Sequence, residues 1–241
     1  MARMPRLAVA GQPHLVVQRV GASRSAFVDD VDRRAYLASL AELARDGAVA
    51  VHAWALLDDA VLLLATPQRG ADLGRFMQRL NRRYVPAFHR RHGGSGALWA
   101  GRFQAAALEP ERYLLSATLL VEQAPVCAGV VAKAVEWPWS SAGHHVGRGA
   151  LAWLTEHEAW WGLGNTPFER EARHEVELQR LLRDAQVADL LGAVRGGWPL
   201  GSASFLASVA QAGDRPAQAR PRGRPRRVSG GKQRANESVP N

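Results

Sequence analysis

The side chains able to carry acid–base, nucleophilic or metal chemistry are few in this chain, and they are scattered. His14 and His52 sit in β-branched segments, Asp58 and Asp59 stand side by side, and His144 is followed by His145. Tyr84 and Tyr113 fall in helical stretches, and Cys127 is the single cysteine. One cysteine excludes an internal disulfide framework and a multi-cysteine metal site, and it fits a reducing compartment. Two acids between apolar runs read first as a hairpin turn, although either carboxylate is able to touch a metal. His14 and His52 read as satisfied structural histidines, and Tyr84, on the apolar side of its helix, reads as core. His144 and His145 are expected at the surface and Cys127 as a small packed side chain.

The elements that must position these groups start with "LLDDAVLLLATP", residues 56–67. From Ala60 to Ala65 no side chain carries a polar atom. A short apolar run after a turn is a strand buried on both faces. Before it, "PHLVVQRV" (13–20) reads as a first strand and 29–47 as a helix with a stripe of Tyr36, Leu37, Leu40, Leu43 and Ala44. Residues 48–57 pair with 60–66 as a hairpin. A helix over 70–92 follows, which Pro86 should kink or break, then the loop "GGSG" (93–96). A strand near 102–108 and a helix over 110–124, with Pro110 in its first turn, complete the order β-α-β-β-α-β-α. That order predicts an α+β fold: a ferredoxin-like, split βαβ antiparallel sheet with helices on one face. The boundaries expected are a sheet domain over 1–148, a helical Trp-rich extension over 149–212 and a basic tail over 213–241. The tail has too little apolar content to fold. Trp153, Trp160, Trp161 and Trp198 are expected to pack the extension against the sheet or across a dimer.

Charge is concentrated. The formal net charge is +9. Residues 75–102 hold seven arginines and no acid, and residues 215–241 hold seven arginines, one lysine and one glutamate. Each segment carries +7, which leaves −5 for the rest of a chain whose total is +9. Two basic patches on an otherwise acidic chain form a nucleic-acid footprint. Arg75, Arg79, Arg82 and Arg83 recur at helical spacing and can track phosphates, with Arg90, Arg91 and Arg102 extending the patch. Trp99 and Phe103, which flank Arg102, either stack on unpaired bases or anchor a strand. Arg222-Gly223-Arg224-Pro225 is similar to the core of an AT-hook, whose arginines enter a narrow minor groove. No apolar run approaches the roughly 18 residues of a membrane span. "MARMPRLAVAGQPH" does not read as a signal peptide.

Six phrases, "GQPHLVVQRV", "LWAGRF", "VEQAPVCAGVV", "EWPWSSA", "WPLGSASF" and "RGRPRR", resemble in order the REP-associated tyrosine transposases. These are single-tyrosine HUH transposases of bacterial insertion sequences. The resemblance implies the ferredoxin-like sheet, often in a homodimer, and binding of single-stranded or hairpin repeat DNA as partner. It implies a tyrosine that joins covalently to a 5′ phosphate, with Mg or Mn polarising the scissile bond. It also implies a cytoplasmic, nucleoid-associated place in a bacterium. The departures are specific. Where the family reads M-P-N-H-V-H-L, this chain reads "LDDAVLL", so Ala60 and Leu62 take the two histidine positions. Where the family reads Y-V-E-L-N-P-V-R-A-G-L-V, this chain reads "LVEQAPVCAGVV". Leu120 then stands at the nucleophile, Ala124 at the further polar ligand and Cys127 at a usual arginine. Tyr113 lies about two turns before Leu120, roughly 10 Å away along the helix, and is no substitute. The expectation is a transposase-family DNA-binding protein with no cofactor and no cleavage. The alternatives are an active transposase with a rearranged metal and tyrosine site, or a structural remnant that binds no DNA.

Overall fold

The β-branched segment HLVVQR forms strand β1 (His14–Arg19) in the computed structural model, which describes residues 7–21 and 25–212. Helix α1 (Asp30–Arg45) begins where the Asp29 carboxylate accepts from the N–H groups of Val31 and Asp32. Strands β2 (Val49–Leu57) and β3 (Ala60–Pro67) pair as the expected hairpin. Asp58 and Asp59 make its turn, and both are held by cations: Asp58 by Arg33, and Asp59 by Arg19 at 3.5 Å. Helix α2 (Gly70–His92), strand β4 (Gln104–Ala107) and helix α3 (Pro110–Cys127) follow. The strand order is β2-β3-β1-β4 with every neighbour antiparallel, the ferredoxin-like arrangement.

Pro86 neither breaks nor ends α2. It withholds an N–H from the carbonyl of Arg82, but it lies on an exposed face, and the buried stripe of Phe76, Met77, Leu80 and Tyr84 holds the helix to the sheet.

The expected one-sided cover is true of the two crossover helices alone. Val16, Trp54, Leu56, Val61 and Leu63 meet α1 and α2. Leu15, Val17, Ala55, Leu62 and Leu64 meet α3 and the later helix over Asp184–Gly196. Both alternating sets of sheet residues are apolar, so both faces need a layer. A bulge at His52 shifts the pairing between Val51 and Ala53. It lets Val51 face one layer and Ala53 the other.

Beyond α3 come the short α4 (Ala142–His145) and α5 (Glu158–Trp161), then α6 (Pro167–Gln179), α7 (Asp184–Gly196) and α8 (Ala203–Ala212). These residues grip the sheet at several points. Thr155 N–H donates to the Val51 carbonyl at 2.8 Å, Trp153 packs on Trp54 with centroids 6.1 Å apart, and Leu200 bridges Leu108. Trp160 is buried as expected, whereas Trp161 is 57% exposed. The basic tail, with Arg222 and Arg224, lies outside the described residues. No helix among the described residues is long and apolar enough to cross a membrane.

Candidate nucleic-acid interface

Ala60 and Leu62 on β3, and Leu120 and Ala124 on α3, meet in one apolar cluster between the sheet and α3. The first three are 0%, 4% and 7% exposed; Ala124 packs at the margin, as does Tyr113. None of the four side chains has a lone pair to give a cation, so this place does not fit a metal. The packing predicts a measurable penalty for restoring chemistry here. Leu62→His would bury an imidazole with no partner and should lower the unfolding free energy by about 2–5 kcal/mol, read from denaturant titration.

The remaining candidate groups are committed to structure. The buried His14 accepts from Val9 N–H at 3.1 Å and donates to the Gln12 carbonyl at 2.7 Å. His52 donates to the Thr155 carbonyl at 2.7 Å and accepts from Thr66 Oγ1 at 2.8 Å. Burial lowers the pKa of each to about 4. Tyr84 is buried and its hydroxyl donates to the Ala26 carbonyl. Two expectations fail. Cys127 is exposed, because it ends α3 where the helix leaves the core. His145 is buried, 5% exposed, because the turn at Ser140–Ser141 points it beneath α6.

There it joins a group that sequence reasoning missed. Glu122, fully buried on α3, accepts from Ser141 Oγ at 2.5 Å, His145 Nδ1 at 2.5 Å and His174 Nε2 at 2.7 Å. The Trp160 ring covers both imidazoles at 4.5 Å. Although desolvation opposes it, the charge and hydrogen bonds of His145 and His174 hold the Glu122 carboxyl well below the usual carboxylate range. The legible signal was a lone glutamate inside the apolar stretch "LLVEQAPV". These three residues are the one group of metal-ligating side chains close enough to share an ion among the described residues. Their ligand atoms are already hydrogen-bonded to each other, which makes the trio a fastener between α3, α4 and α6.

The seven arginines of 75–102 divide into two sets. Arg79 pairs with Asp46 at 2.8 Å, Arg83 with Glu42 at 2.9 Å and Arg91 with Asp29 and Asp32, so three of them zip α2 to α1. Arg75 reaches Asp72 at 3.7 Å and is otherwise exposed. Arg82, Arg90 and Arg102 are exposed and have no acidic partner among the described residues. Two of these, Arg82 and Arg102, line one groove between α2 and the 97–103 segment. Trp99 and Phe103 are each 8% exposed, so they anchor that segment rather than offer open stacking platforms. Trp99 bridges Val20, and Ala100 N–H donates to the Arg19 carbonyl at 2.9 Å. The segment thereby carries the pairing of β1 with the β4 side one step past Arg19 and lines one wall of the groove.

This fold is similar to that of a solved structure described as a REP-associated tyrosine transposase bound to a REP hairpin. The TM-score is 0.53 with 19% identity, covering 66% of this chain and 96% of that one. At that identity the likeness is one of fold. No family model and no curated protein matches the chain.

Proposed function

We propose that this protein binds hairpin or single-stranded repeat DNA, as a member of the REP-associated tyrosine transposases that has lost strand cleavage. The observation that carries the reading is the apolar cluster of Ala60, Leu62, Leu120 and Ala124 within a transposase-like fold. Cleavage by that family's route needs an attacking tyrosine and ligands for a divalent ion. Leucine and alanine supply neither at the four positions the resemblance assigns. Binding needs cations that are free to meet phosphate, and Arg82, Arg90 and Arg102 have no acidic partner among the described residues. The REP hairpin belongs to the neighbour's structure; its extension to this chain rests on the shared fold and on these arginines.

The test is a titration of full-length protein with a labelled hairpin from the gene's flanks, competed by a scrambled single strand and a duplex. The hairpin should win, and affinity should fall as salt rises. Replacing Arg82 and Arg102 with alanine should make the log–log salt slope shallower by about 1.4–1.8, since each phosphate contact contributes roughly 0.7–0.9. Arg79→Ala should change the slope far less, because Arg79 is held by Asp46. Incubation with Mg²⁺ or Mn²⁺ should give no covalent protein–DNA adduct; an adduct would overturn the loss of cleavage. Absence of salt-sensitive binding to any of the three DNAs would overturn the DNA-binding reading itself.

A further inference from the structure

Arg75, Arg79, Arg82, Arg83 and Arg90 of α2 fall within an arc of roughly 100° when the helix turns about 100° per residue. All of them are exposed, and the arc lies opposite the buried stripe of Phe76, Met77, Leu80 and Tyr84. From the first to the last the helix rises about 22 Å. Over that length one strand of a duplex stem offers about six phosphates. The helix thus presents a single row of cations, but the row is not equally open. Arg82 and Arg90 meet no acid among the described residues. Arg79 and Arg83, in the middle of the row, meet Asp46 and Glu42 of α1.

These two bridges do little for the fold. The paired side chains are 52% and 43% exposed in one and 37% and 64% exposed in the other, and exposed ion pairs contribute little to stability. The Asp46 carboxylate accepts from Arg79 at 2.8 Å, and both oxygens of Glu42 meet the Arg83 fork at 2.9 Å. Neither carboxylate accepts from a backbone N–H among the described residues. Asp46 also stands at the C-terminal end of α1, where the helix dipole disfavours a negative charge. The contact of Arg91 with Asp32 is of another kind. Asp32 is 3% exposed, accepts from Val28 N–H at 2.9 Å and meets His92 Nε2 at 2.8 Å, so it belongs to the packing.

A phosphate that approaches Arg79 or Arg83 finds a carboxylate already in its place. Carboxylate and phosphate suit the guanidinium fork in the same geometry, and they repel each other. We propose that Asp46 and Glu42 mask the central arginines of a DNA-contacting row, so that α2 meets the backbone through Arg82 and Arg90 while Arg79 and Arg83 stay with the acids. The proposal rests on the DNA-binding reading and adds what restrains the affinity. Phosphate contacts strengthen binding to any sequence, so the two acids hold down sequence-independent binding.

The test is a double-mutant cycle in the full-length protein, read on the labelled hairpin and on a scrambled duplex. Asp46→Asn with Glu42→Gln should tighten binding to both about tenfold or more at about 0.1 M salt and steepen the log–log salt slope by about 1.4–1.8, as two further phosphate contacts provide. Adding Arg79→Ala and Arg83→Ala to that background restores the parent's net charge and should restore its affinity and slope. Tightening that survives the two alanines would come from lost repulsion by the acids and overturns the mask. In the parent, the same two alanines should change the slope far less; a loss of about 1.4–1.8 there would place both arginines on phosphate from the start and also overturn it. An unchanged slope in Asp46→Asn with Glu42→Gln overturns the inference while DNA binding by the parent stands. Binding of no DNA by the parent overturns the underlying reading. Melting curves show whether each variant folds. Should the paired acid substitutions unfold the protein, the cycle of Glu42→Gln with Arg83→Ala decides alone, with an expected steepening of about 0.7–0.9.

Discussion

Glu122→Ala should destabilise the protein by about 3–5 kcal/mol, the cost of removing one side of a buried charged group. Three donors converge on this carboxylate: the Ser141 hydroxyl and one N–H each from His145 and His174. Without it, two imidazoles and a hydroxyl face a void closed to water, beneath Trp160. The loss should be local in its first step, because the trio fastens α4 and α6 to α3 while the sheet keeps its other contacts. Urea titration followed by tryptophan fluorescence should therefore show an early transition involving Trp160, ahead of the far-ultraviolet signal of the sheet and α1–α2 layer. Glu122→Leu combined with His145→Leu and His174→Leu should recover much of the loss, since that set leaves only the Ser141 hydroxyl without its acceptor. A triple variant as unstable as Glu122→Ala would show that the cost came from packing volume instead.

Acidification should weaken the fold well before carboxylates titrate. Burial lowers His14 and His52 from 6.5 to about 4, so the folded state keeps both neutral where the unfolded chain takes protons. The contribution is fully present above pH 6.5, is lost as pH falls from 6.5 toward 4, and levels off below that. With 1.36 kcal/mol per unit, each histidine should cost about 2 kcal/mol by pH 5 and about 3 kcal/mol by pH 4. Together they remove a large share of the 5–15 kcal/mol typical of a domain. Glu122 acts in the same direction at lower pH: its depressed pKa adds stability above the ordinary carboxylate value, and that stability is lost as pH falls further. Denaturant midpoints at pH 7, 6, 5 and 4 measure the effect. His52→Gln should reduce the slope between pH 6.5 and 5, and an unchanged slope would remove His52 from the account.

The sequence by itself determined the local elements. Alternation and turn acids placed the β2–β3 hairpin, a stripe at helical spacing placed α1, and Pro110 marked the start of α3. It also determined that Ala60, Leu62, Leu120 and Ala124 have no metal-binding or nucleophilic atom, since that follows from residue identity. Only the tertiary structure decided which charges remain available. Arg79 and Arg82 are three residues apart on one helix, yet one meets Asp46 and the other a groove. The difference comes from how α2 lies against α1, thirty or more residues earlier, and no periodicity encodes that register. The same holds for Glu122, His145 and His174, which become partners only when α4 and α6 fold back onto α3. The second layer was decided in the same way. Each strand carries apolar side chains on both faces, and which helix covers which face depends on where the chain goes after β4, a choice made by long-range packing.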